Sequence, residues 1–281
     1  MKASEYYKAG KLAEAIAAAT DEVKAHPTDT SRRGLLAELL CFAGQWERAD
    51  LQLDVLAQQD PKVALGLTMV RQLIRAEQAR QEFFKSGAVP EFLQQPTPLL
   101  TLHLEASIRL REGAIQEAAA MLEQAEAQRP KPRGTCNGQP FDDFRDLDDL
   151  TAPFLEVLTS NGKYYWVPME RIERMEFHAR ERPRDLLWRR VHMLVHDGPD
   201  AEVHLPVLYP GAADEADDGA KLGRKTDWRG GEGSPVRGVG QRMFLVGEEA
   251  QSILEFQEIV FEVPEEPLPE EPEQEDGQAQ S

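Results

Sequence analysis

The chain has 281 residues, 41% apolar and 29% charged, the balance of a soluble globular protein long enough for two ordinary domains. A formal net charge of −18 disfavours nucleic-acid backbones and anionic lipid, and no apolar run reaches the roughly 18 residues that span a bilayer. The opening Met1-Lys2-Ala3-Ser4-Glu5 lacks the apolar region of a signal peptide, and two cysteines, Cys41 and Cys136, form no framework, so a cytoplasmic setting is expected.

Residues 1–130 read as helix. Leu12, Ala15, Ile16, Ala19 and Val23 fall at helical spacing, as do Val63, Leu67, Val70 and Ile74. Within this half Gly10, Ala15 and Pro27 recur 34 residues on as Gly44, Ala49 and Pro61, and a third time as Gly113, Ala118 and Pro130. Gly allows a sharp turn between antiparallel helices, Ala lets the second helix pack closely on the first, and Pro stops it. A period of 34 matches the tetratricopeptide repeat, although Arg33 and Arg109 stand where apolar residues would suit the first helices better. Any helical bundle has Gly turns and Pro stops; the joint register is what favours the repeat. The third unit comes 69 residues after the second. One long helix from Pro61 to Lys85 and a link with Pro90, Pro96 and Pro98 are expected to interrupt the array. Trp46, just past a turn glycine, is expected to anchor repeat packing, and Cys41 to be a small core hydrophobe.

Lys131-Pro132-Arg133-Gly134 has linker composition, and strands follow. They are read at Leu155–Thr159 and Lys163–Val167, joined by the hairpin signal Asn161-Gly162, then at Ile172–Phe177, Arg189–His196, Glu202–Leu208, Arg242–Val246 and Gln257–Val263. Short helices are placed near Pro183–Leu187 and Asp217–Lys221, and Gly230–Gly240 reads as a glycine-rich loop. The expected fold class is α+β: an N-terminal all-α, tetratricopeptide-like hairpin array (1–130), then a mixed, mainly antiparallel β domain (131–263), curled into a small barrel. Residues 264–281 continue an acidic stretch, eight acids from Glu262 to Asp276 and no base, and are expected to be disordered.

No constellation points to catalysis. His178, His192, His196 and His204 cluster in sequence, but on strands His192 and His196 stand about 13 Å apart. A turn at Asp197–Asp200 would set Val195 opposite His204 and His196 on the other face. The acidic runs Asp142, Asp143, Asp146, Asp148, Asp149 and Asp214, Glu215, Asp217, Asp218 lack the glycine turn and terminal Glu of a calcium loop and read as solvated. The glycine runs open no helix and carry no Gly-Lys-Ser/Thr. Neither a Gly-x-Ser-x-Gly elbow nor an HExxH motif is present. No catalytic residue, metal or cofactor is expected. In Tyr164-Tyr165-Trp166, Tyr164 and Trp166 share a strand face, read as core in preference to a peptide platform.

Gly44-Gln45-Trp46-Glu47-Arg48-Ala49, Asn137-Gly138-Gln139-Pro140-Phe141 and Asn161 to Pro168 resemble segments of the ImpE/TagJ accessory proteins of bacterial type VI secretion. So do Arg184-Asp185-Leu186-Leu187-Trp188, Tyr209-Pro210-Gly211, Arg224 to Trp228 and Gly238 to Met243. The resemblance implies a non-enzymatic adaptor that binds the N-terminal helix of the small sheath subunit, and so influences sheath assembly or recycling by an AAA+ unfoldase. The alternative is a general assembly chaperone or regulator whose client lies outside secretion. In stacked hairpins the first helices line a concave face. The repeat register places Glu38, Cys41 and Phe42 there beside His103, Ser107, Leu110 and Arg111, an expected partner-binding surface; the equal alternative is that Cys41, Phe42 and Leu110 simply pack inside the array.

Overall fold

The computed structural model describes residues 1–262, so the expected disordered acidic tail, residues 264–281, lies outside the described residues. The chain begins with antiparallel helices α1 (Ala3–Lys8), α2 (Leu12–Ala25), α3 (Thr30–Phe42) and α4 (Trp46–Gln59). A single 3-10 turn at Pro61–Val63 leads into the 23-residue α5 (Ala64–Ser86). A two-residue strand, β1 (Glu91–Phe92), precedes α6 (Pro98–Glu112) and α7 (Ile115–Gln128).

The repeated residues do the work that their chemistry suggests. Gly10, Gly44 and Gly113 all stand between helices with φ of 78°, 66° and 79°, where a side chain would be strained. Ala15, Ala49 and Ala118 are fully buried, so a larger side chain would push the paired helices apart. The helices before Pro27, Pro61 and Pro130 end at Ala25, Gln59 and Gln128. Trp46 also packs on Trp188 of the sheet at 6.3 Å, a contact that joins the two halves.

The remaining strands are β2 (Gly134–Cys136), β3 (Gln139–Phe141), β4 (Phe144–Asp146), β5 (Phe154–Leu158), β6 (Tyr164–Pro168), β7 (Ile172–Phe177), β8 (Trp188–Val195) and β9 (Asp200–Pro206). After the short α8 (Asp218–Lys221) come β10 (Thr226–Gly231), β11 (Ser234–Gly240), β12 (Met243–Val246), β13 (Glu249–Ser252) and β14 (Glu258–Phe261). Nine strands form one sheet in the order β1-β6-β5-β9-β8-β7-β14-β2-β3, every pairing antiparallel except β1 with β6. β13-β12-β4 and β10-β11 make two smaller sheets.

Three expectations need correcting here. The main sheet is open and not a barrel: its edges are β1, only two residues long, and β3, which carries Pro140 where a missing donor does no harm. The glycine-rich stretch 230–240 is a β10–β11 hairpin, with Gly230 and Gly231 at a register shift. In the β8–β9 hairpin His204 faces Arg190, not Val195, because a tight turn pairs Val195 N with Pro199 O at 3.0 Å.

One apolar core runs through both halves, from Leu12, Leu39 and Phe42 on the helices to Trp166, Val191 and Ile259 on the sheet. α5 forms the seam. Phe83 meets Trp166 edge-on at 4.8 Å, and Trp166 stacks on Phe154 at 3.9 Å. Such pairs contribute about 0.5–1.5 kcal/mol each beyond area burial. Tyr164 and Trp166 are buried together, as the alternation along the strand requires.

Candidate functional site

Beneath this seam lies a buried ionic cluster. Arg80 on α5 donates to both carboxylate oxygens of Glu156 on β5, at 2.8 and 3.0 Å, to Glu77 at 2.9 Å and to the carbonyl of Leu208 at 2.9 Å. Arg242 bridges Glu156 and Asp146, the latter at 2.7 Å. Tyr164 and Tyr209 donate hydroxyl protons to Glu156 and Asp146, and Trp188 donates its indole proton to Glu77 at 3.1 Å. Burial would raise the Glu156 carboxyl, but Arg80 and Arg242 outweigh it and hold it at about 2. Burial dominates at Asp146, which rises to about 6 despite Arg242. The acidic run 142–149 is therefore not simply solvated: Asp146 and Asp148 are completely buried, and Asp148 accepts from Arg237 Nε at 2.8 Å and Gly238 N at 3.0 Å.

The cluster fixes α5 on the sheet, and this sets the walls of an open groove of about 510 Å³. Leu35 on α3, Leu53 and Leu56 on α4 and Leu67 and Val70 on α5 give it an apolar lining. The 3-10 turn at Pro183–Leu186 forms the facing wall with Pro183, Arg184 and then Trp188. Val63, 42% exposed, lies at the groove's margin, and nearby Leu65 is 85% exposed. Glu38 and Arg184 face each other across the rim at 3.6 Å. Burial lifts the Glu38 carboxyl to about 7 against the pull of Arg184.

Of the seven residues expected to bind a partner, Glu38 and Cys41 line this groove. The single concave face that would join all seven is not formed. The helices pack in chain order, and α4 and α5 separate α3 from α6. Cys41, Phe42, His103 and Ser107 are buried. Phe42 packs on Tyr7 at 6.1 Å, His103 Nδ1 bonds to the Leu150 carbonyl at 2.8 Å, and Ser107 donates to Leu104 O at 2.6 Å. Leu110 packs against the small apolar cluster of Ala106, Leu122 and Leu150, and Arg111 donates to Phe83 O at 3.2 Å. The sequence reading missed Leu67, Pro183 and Arg184. Leu67 had shown itself as an apolar-face residue, but nothing local linked it to a turn more than a hundred positions away.

Among the described residues no group of three or more His, Cys, Asp or Glu is gathered to hold a metal. His178, His192 and His196 each approach a carboxylate, from Glu202, Asp200 and Glu173 respectively. No helix among the described residues is long and apolar enough to cross a membrane.

Helical hairpins locked by a buried ionic seam to a mainly antiparallel sheet, with an apolar groove along the junction, define an α+β scaffold. The model of the family described as ImpE protein matches residues 138–260. The type VI secretion system accessory component TagJ of Pseudomonas aeruginosa is 32% identical over 262 residues, 93% of this chain and 92% of that protein. The X-ray crystal structure of protein VPA1032 from Vibrio parahaemolyticus aligns with a TM-score of 0.85 at 29% identity, over 92% of this chain and 97% of that one. The chain belongs to the ImpE/TagJ family.

Proposed function

We propose that the chain is a cytoplasmic, non-enzymatic accessory component of a type VI secretion system, and that its groove receives the N-terminal helix of the small sheath subunit. The supporting observation is the 32% identity to TagJ across 93% of the chain, which includes the elements that build the groove. An apolar channel with charged groups on its rim suits an amphipathic helix laid in by its apolar face. Through that contact the protein would influence sheath assembly or recycling, and stand only indirectly beside the AAA+ unfoldase. The test is fluorescence anisotropy with a labelled peptide of the sheath helix, on the wild type and on Leu67→Asp. Saturable binding that weakens at least about tenfold in the folded variant supports the reading. Absence of binding by the wild type sinks it and favours a client outside secretion.

A further inference from the structure

The segment between β7 and β8 closes a second pocket of about 290 Å³ beside the groove, sharing Arg182, Arg184 and Trp188 with it. On a chain of net charge −18 this pocket is locally basic: Arg182, Arg184, Arg189 and Arg190 stand against Glu181 and Asp185. Asp185 is already committed, since one of its oxygens accepts from the backbone amides of Glu181 and Arg182 at 2.8 and 2.9 Å. Arg182 has no ion-pair partner among the described residues. His204, 6% exposed, lines the pocket with its Nδ1 lacking any hydrogen-bond partner, and Arg189, 5% exposed, leaves Nε and Nη1 unpartnered. Arg184 and Arg190 already pair with Glu38 at 3.6 Å and Glu202 at 2.8 Å, which leaves Arg182 and Arg189 as the cations without a carboxylate partner among the described residues. Buried polar groups are normally satisfied, so this concentration of unused nitrogen beside Arg182 marks a place prepared for a negative charge.

Burial, and then Arg190, lowers the His204 imidazole to about 4, and burial followed by Arg180 pulls Arg189 down.

We propose that the pocket is an oxyanion site, taking a carboxylate or phosphate group between Arg182, Arg189 and His204. Charge-assisted hydrogen bonds of the arginine–oxyanion kind would supply the affinity. The anion has two possible sources, free phosphate or an acidic side chain of a bound polypeptide, and the site is independent of the sheath reading above.

Calorimetric titration of the full chain with inorganic phosphate, and separately with a short glutamate-rich peptide, tests it. At least one ligand should bind saturably with a Kd of about 1 mM or tighter. Arg182→Gln should weaken binding at least about tenfold, whereas Arg174→Gln, in an exposed ion pair elsewhere on the sheet, should not. Tighter binding of the peptide identifies a partner's carboxylate, and tighter binding of phosphate a free anion; either supports the site. Failure of both ligands to saturate, or wild-type affinity in Arg182→Gln, overturns it.

Discussion

Arg80 and Glu156, 76 positions apart, meet through two hydrogen bonds of 2.8 and 3.0 Å in a place sealed from solvent. This fork joins the longest helix to a central strand, so the energetic unit is the seam and not either half alone. Removing one partner of such a pair leaves the other charge buried and uncompensated. Arg80→Met should therefore destabilise the fold by about 3–5 kcal/mol, measured by urea unfolding at neutral pH. A loss below about 1 kcal/mol would mean that Glu156 is satisfied by Arg242 and Tyr164 alone.

A second prediction concerns the glycine run. A Cβ on Gly238 would stand 2.1 Å from Cε2 of Tyr209, whose ring is held by bonds to Asp146 at 2.9 Å and from Met243 N at 3.1 Å. Ring and strand cannot both stay in place, so Gly238→Ala should cost about 1–3 kcal/mol or more. Gly66, inside α5 with open space around it, is the control. Gly66→Ala should stabilise by about 0.5–1 kcal/mol, because glycine carries the larger entropic cost in a helix. Equal melting temperatures for the two variants would contradict the packing argument.

These two cases mark what sequence could and could not reveal. The 34-residue register was legible because turn glycine, close-packed alanine and stopping proline each act on the chain within one hairpin. Asn161-Gly162 was legible for the same reason: Gly162 has φ of 85° in a turn that a few residues define. Asp146, Asp148, Glu156, Arg80 and Arg242 were not, because a charged residue in isolation reads as surface, and their mutual burial depends on partners up to 96 positions away. β2, β3 and β4, three residues each, are too short to display an alternating pattern. The groove was only half visible. Its helical wall shows an apolar period, but the opposing wall is a turn at Pro183–Leu186 that only the tertiary fold brings near.

A third prediction separates groove from core. Phe42 is 1% exposed and packed against Tyr7, so Phe42→Ala should cost about 3–5 kcal/mol of stability. Val63, 42% exposed at the groove margin, should tolerate Val63→Asp within about 0.5 kcal/mol while losing affinity for the helix peptide. Chemical unfolding and peptide binding measured on both variants check the division. Weakened peptide binding with unchanged stability in Phe42→Ala would reverse the assignment.

The last prediction rests on Glu38, whose carboxyl is held at about 7 in the folded protein, chiefly by burial, against an ordinary value of 4.5. A raised carboxyl means that the folded state binds the proton more tightly than the unfolded state does. Below about 4.5 the residue is neutral in both states and exerts no pH-dependent effect. Between 4.5 and about 7 the unfolded chain ionises first, so stability falls as pH rises through that window. Above it the carboxylate is charged in both states, and the folded protein carries the full desolvation cost, about 3 kcal/mol at most. Glu38→Gln keeps the shape and removes the ionisation. Its melting temperature should match the wild type near pH 4 and exceed it near pH 8, with the gap opening across the intervening range. The opposite order at pH 8 would show that the Arg184 ion pair at 3.6 Å outweighs burial and that the Glu38 carboxyl is not raised in the folded protein.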